Sequence, residues 1–278
     1  MAKKGTIKIP RINTLIILKE AVVFNMWLKT QTLRASLWVL LFAFIFPANL
    51  HAELSQDDKV AIGKEITTLY RSARTVIAQK QKLINDALKG NKGLDADTVI
   101  RLTKAQFKKA RGSGLIKIDK STIRGKIQEA MLEAIKSVMI DAQSLINKKD
   151  QGFKGFLPAI FAGQVANKFN LLIEGTAYIK LTAPKRYIRN RSNRPDMWEH
   201  KILENQFMDQ SYEKNKVFVS NALHKGKPAF RLILPEYYKQ SCLDCHGTPK
   251  GAKDITGWRK EGGKLGELGG AISFVIYD

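Results

Sequence analysis

The chain is 278 residues long, carries 47 Lys and Arg against 25 Asp and Glu, and has a formal net charge of +22. That length supports a substantial core and one or two domains. So basic a balance invites nucleic acid as a partner, but no nucleic-acid motif is present; the charge points instead to acidic partners or anionic surfaces.

Residues 1–52 read as an address. Residues 1–25 mix basic and apolar positions, an odd prefix that argues for a translation start at Met26. Met26-Trp27-Leu28-Lys29 with Arg34 then forms a positive region, Ser36 to Phe46 is uncharged, Pro47 breaks the run, and Ala48-Asn49-Leu50-His51-Ala52 ends on a small residue. This is the pattern of a secretory signal peptide cut after Ala52. The apolar run is short for a bilayer span; an uncleaved anchor is the alternative, and the only case in which the chain would touch a membrane. Export predicts a periplasmic protein. Without that segment, which holds seven Lys or Arg and one Glu, 226 residues remain with a net charge of +16.

Residues 53–150 read as a helical part. Ser55 with Asp58 resembles a capping box. Ile62, Ile66, Leu69, Ala73, Val76, Leu83 and Ala87 recur at steps of three and four, interrupted where Lys80 occupies the seam, which predicts one long amphipathic helix stopped near Gly90. A shorter helix is expected from Asp97 to Arg111, ended by Gly112-Ser113-Gly114, and another long one from Ser121 to Asn147 with Ile123, Ile127, Met131, Ala134, Ile135, Val138 and Leu145 inward. Plain helix packing accounts for these stripes.

Residues 151–278 follow a different grammar. A helix is expected from Ala159 to Ile173 and a second from Asp196 to Met208. Strands are expected over Thr176–Leu181, Lys216–Ser220, Ala229–Leu234 and Ala271–Tyr277, with a hairpin connection over Asn221–Pro228. A few-stranded antiparallel sheet with helices on one side is an α+β layout.

Every cysteine of the chain lies in Cys242-Leu243-Asp244-Cys245-His246, the attachment signature of a c-type haem. Positions i, i+3 and i+4 share one helix face. Cys242 and Cys245 can therefore each form a thioether to a haem vinyl while His246 presents its imidazole to the iron, giving one covalent haem c. Zinc would want four ligands, and His51, His200 and His224 are scattered; a non-haem Cys/His metal site stays an alternative. A thioredoxin-like pair should open a helix after a strand in an α/β unit, whereas Pro235-Glu236-Tyr237-Tyr238 leads in here and Gly247-Thr248-Pro249 leads out. A disulfide across so short a loop would add little. The sixth ligand is open among Met139, Met197, Met208, His200 and His224, with His224 expected in a solvent-facing turn. Arg189, Arg191 and Arg194 are candidate propionate contacts, or a solvated basic loop. Gly262 to Gly270 supplies turns or lets backbone approach the haem edge.

Several segments together resemble a known group, the single-haem, PAS-like c-type haem domain family of bacteria and cyanobacteria. The matching pieces are residues 155–161, Arg189 through Glu199, Pro235-Glu236-Tyr237-Tyr238 running into Ser241 through Gly247, and Gly262 through Gly270. The resemblance implies long N-terminal helices packed on a PAS-like antiparallel sheet that carries the haem. Some members place a cysteine from the N-terminal region on the second axial face; this chain has no third cysteine, so that ligand does not carry over.

Three functions compete: a haem sensor of redox state or a diatomic gas, an electron carrier, and an enzyme of the peroxidase kind. No distal His/Arg pair can be placed by motif, so catalysis is the weakest. No transmitter segment is expected after Asp278, so sensing would need a separate membrane sensor protein, and weight falls on a free-standing redox protein. Its partners would be the cytochrome c maturation machinery and an acidic redox protein.

Overall fold

A computed structural model describes residues 54–278; the export segment expected over residues 1–52 lies outside the described residues. The N-terminal helix α1 spans Gln56–Gln79. Ser55 caps it, its hydroxyl accepting from the Asp58 N–H at 3.1 Å and donating to the Asp58 carboxylate at 2.6 Å. The expected single helix to Gly90 is two pieces: the chain bends at Lys80 and resumes as α2, Gln81–Ile84. Lys80, half-buried, takes φ −96° and ψ 5° there and interrupts the helix. Helix α3 covers Ala96–Arg111, capped by Asp95 and ended by left-handed Gly112 at φ 76°. The second expected long helix is likewise divided at Ala142, into α4 (Ile123–Asp141) and α5 (Gln143–Ile146). Helix α6 covers Pro158–Leu172, with proline in its first turn.

The strands are β1 (Ala177–Thr182), β2 (Phe218–Asn221), β3 (Ala229–Tyr237) and β4 (Leu268–Tyr277). They form one antiparallel sheet in the order β1-β4-β3-β2. The β2–β3 hairpin turns through Lys225 (φ 51°) and Gly226 (φ 79°), the paired positive φ values of a type I′ turn.

Strand alternation sorts the core into two clusters. Phe230, Leu232 and Leu234 of β3, Ile272, Phe274 and Ile276 of β4, and Ala177 and Ile179 of β1 face the long helices and share one core with Ile66, Leu69, Ile127, Ile135, Phe161 and Phe169. Each such fully buried Ile, Leu or Phe contributes about 1.5–3 kcal/mol. On the other face, Ile233, Leu268 and Ala271 pack against Ile202, Leu203 and Phe207. These last three belong to helix α7, Met197–Ile202, and the π-helical turn Leu203–Phe207 that continues it. Helices therefore cover both faces of the sheet, not one side as the sequence suggests, because the apolar positions of both phases in β3 and β4 need cover. Residues 54–278 form one compact α+β unit, N-terminal helices packed on a four-stranded antiparallel sheet.

Candidate functional site

The Cys242–His246 segment is helical. It occupies α8, Gln240–His246, directly after β3. Both cysteines are free thiols, half-buried, and the Cys242 sulfur accepts from the Lys239 N–H at 3.4 Å. Burial pushes the Cys245 thiol up from its ordinary value, with the nearby Asp254 carboxylate adding to the effect.

The strand that delivers α8 is tied to α1. Arg71 and Arg74 both pair with Glu236, and Arg71 also donates to the Pro235 carbonyl at 2.9 Å. Burial lowers both guanidinium pKa values, that of Arg71 to about 10.

His246 is held on three sides. Its Nδ1 lies 3.0 Å from the Glu261 carboxylate, its carbonyl accepts from the Gly263 N–H at 2.7 Å, and its ring stacks on Tyr238 with centroids 5.4 Å apart at 26°. Tyr238 is buried and fixed by Tyr187 in an edge contact at 5.8 Å. The glycine-rich run makes room for it: a Cβ on Gly263 would fall 2.8 Å from Tyr238 Cδ2, and one on Gly269 would fall 2.6 Å from Cε1 on the opposite ring edge. Gly262 (φ 82°), just before them, and Gly266 (φ 76°), between them, supply the turns. Of the two roles the sequence suggests for this run, turn formation is seen; the close approach is to the Tyr238 ring.

Arg189 organises the carboxylates behind the histidine. It pairs with Glu261, donates to Asp254 at 2.5 Å, and donates to the Cys245 carbonyl. Burial alone would raise the Asp254 carboxyl, but hydrogen bonds from Thr256 and Arg189 win and bring it down to about 2. Glu261 is likewise pushed up by burial and pulled further down by His246 and Arg189. The candidate propionate arginines thus divide. Arg189 is committed to two carboxylates, while Arg191 and Arg194 line, with Arg189, Lys185, Ile188 and Pro195, an open cavity of about 500 Å³.

The candidate sixth ligands are spread through the fold. Met139 is fully buried in the helical core, Met197 is 86% exposed, and Met208 packs in the cluster behind the sheet. His200 lies on α7, 4.0 Å from Glu204. His224 is not in a solvent-facing turn: it is 5% exposed. The hairpin folds its ring against Tyr178, and its Nδ1 meets the Tyr277 hydroxyl at 2.7 Å. It precedes β3 whereas α8 follows it, so the nine-residue strand separates them by roughly 26 Å.

Sequence reasoning missed Glu261, Asp254 and Tyr238 as parts of this site. Tyr238 stood in a matching segment without a role, and nothing local marked Glu261 or Asp254. Among the described residues, no group of three or more His, Cys, Asp or Glu side chains is arranged to hold a metal ion, and no helix is long and apolar enough to cross a membrane.

The family model described as Tll0287-like matches residues 56–276. Comparison with curated proteins and with solved structures gives no match.

Proposed function

The chain belongs to the Tll0287-like family, and from that premise we propose that it is an exported c-type haem protein that exchanges electrons. One observation carries the reading. His246 has its Nδ1 engaged by Glu261 at 3.0 Å, which leaves Nε2 for an iron, and it follows two free thiols, Cys245 immediately before it and Cys242 one helical turn back. That donor set fits a haem c. It does not assemble the four ligands of a structural zinc site.

In this reading Cys242 and Cys245 bind the macrocycle by thioethers and His246 is its proximal ligand. A haem bound there supplies a one-electron ferric/ferrous couple, tuned by ligand basicity and burial. Arg191, Arg194 and Lys185 set positive charge around the neighbouring cavity, where propionate carboxylates would be met by charge-assisted hydrogen bonds. The four-stranded sheet takes the PAS-like role that the family resemblance implies. The cytochrome c maturation machinery would load the chain outside the cytoplasm, and an acidic redox protein would be its partner.

The test is expression with and without that machinery, followed by haem staining on denaturing gels and spectra with and without CO. One covalent haem per chain is expected, reduced in Cys242→Ser and in Cys245→Ser and lost in the double variant. A wild-type chain without covalent haem overturns the reading. A ferrous spectrum unmoved by CO fits electron transfer; a CO-induced Soret shift moves the assignment to gas sensing, and rapid peroxide turnover moves it to catalysis.

A further inference from the structure

We propose that Glu261 is a positioning residue that sets the electron-donating strength of His246, with Arg189 limiting how strongly it does so. This rests on the haem reading above. The geometry is specific. Glu261 Oε2 is 3.0 Å from His246 Nδ1 and 3.0 Å from Arg189 Nη2, and its other oxygen meets Arg189 Nε. The Glu261 side chain is only 9% exposed, so its charge is poorly screened.

A neutral carbonyl behind a ligating histidine accepts the Nδ1–H weakly; a carboxylate accepts it strongly, raises ligand basicity and fixes the tautomer. A more basic imidazole favours ferric over ferrous iron. Arg189 shares the same carboxylate and spends a further donor on Asp254, which moderates the pull on His246. Stacking on Tyr238 keeps the ring in the plane where the Glu261 bond forms. The histidine is thus the last member of a chain Asp254, Arg189, Glu261, His246.

The experiment compares haem-loaded wild type with Glu261→Gln, Glu261→Asp and Arg189→Gln, reading midpoint potential and the ¹⁵N resonance of His246 Nδ1. Glu261→Gln is expected to favour the ferrous form by about tenfold at a fixed ambient potential, ~59 mV for a one-electron couple, and to weaken the Nδ1–H bond signature. Glu261→Asp keeps the charge but is one methylene short. It should move the same way if the hydrogen bond matters, and match wild type if only through-space charge does, which would overturn the proposal. Arg189→Gln should move the opposite way; a shift in the same direction as Glu261→Gln would mark mere loosening and refute the assignment. Absence of covalent haem in wild type is a different failure, that of the haem reading itself. Covalent haem in every variant with unchanged potential and resonance removes this inference alone.

Discussion

Gly269→Ala tests whether the glycine-rich run exists to seat Tyr238 against His246. The new methyl carbon would lie 2.6 Å from Tyr238 Cε1, 2.8 Å from Cζ and 2.9 Å from Cδ1, where ordinary carbon contacts need about 3.5 Å. The ring must retreat by about 1 Å. Its opposite edge meets Gly263 and its face meets His246, so the retreat tilts it off the histidine. Overpacking of this kind costs about 1–3 kcal/mol. Gly269 has no left-handed φ, so alanine suits its strand backbone and returns about 0.4–1 kcal/mol through the unfolded chain. The net expectation is about 1–2 kcal/mol of destabilisation, a fall in Tm of about 2–8 °C for a unit of this size. Urea unfolding followed by circular dichroism measures it. The decisive arm is Tyr238→Ala combined with Gly269→Ala, in which the methyl group fills space left by the ring and its cost vanishes. A Gly269→Ala protein as stable as wild type, or a cost unchanged when Tyr238 is absent, would refute the steric argument.

Arg231→Met should destabilise the fold by about 3 kcal/mol, because Glu199, as buried as Arg231 itself, would keep only Lys180 at 3.4 Å as cationic partner; adding Glu199→Gln should recover part of the loss in the same unfolding assay. His224 is depressed to about 4 by burial, with Arg231 and Lys225 adding to the effect. The unfolded chain therefore takes up its proton near pH 6.5, before the folded one does. Stability should fall as pH drops from about 6.5 to 4, by about 3 kcal/mol from this residue, and His224→Gln should flatten that window; equal slopes would show that the histidine titrates alike in both states. Electron exchange with an acidic donor should slow steeply as ionic strength rises, since screening shortens to about 8 Å at physiological salt; a flat rate would remove electrostatic steering as a recognition device.

Much of this protein was legible locally. Helical periodicity located α1, α3, α4 and α6, and alternation located four strands, but not the breaks at Lys80 and Ala142 that divide the two long helices. The Cys242–His246 spacing was legible as a proposed haem site because its geometry is contained within one helical turn. The cover over the second sheet face, the pairing of Arg189, and the burial of His224 were not legible. His224 stands in a sequence that reads as an exposed hairpin, and the hairpin is there; only the approach of Tyr178 from β1 and Tyr277 from β4 buries its ring. Glu261 and Arg189 follow the same rule, since hydrogen bonds that join residues 246, 261 and 189 leave no periodic or short-range trace. Local sequence determined the elements and the Cys242–His246 turn; the tertiary structure decided which charges stand behind that turn, because side chains from separate elements meet only once the sheet and its loops have closed.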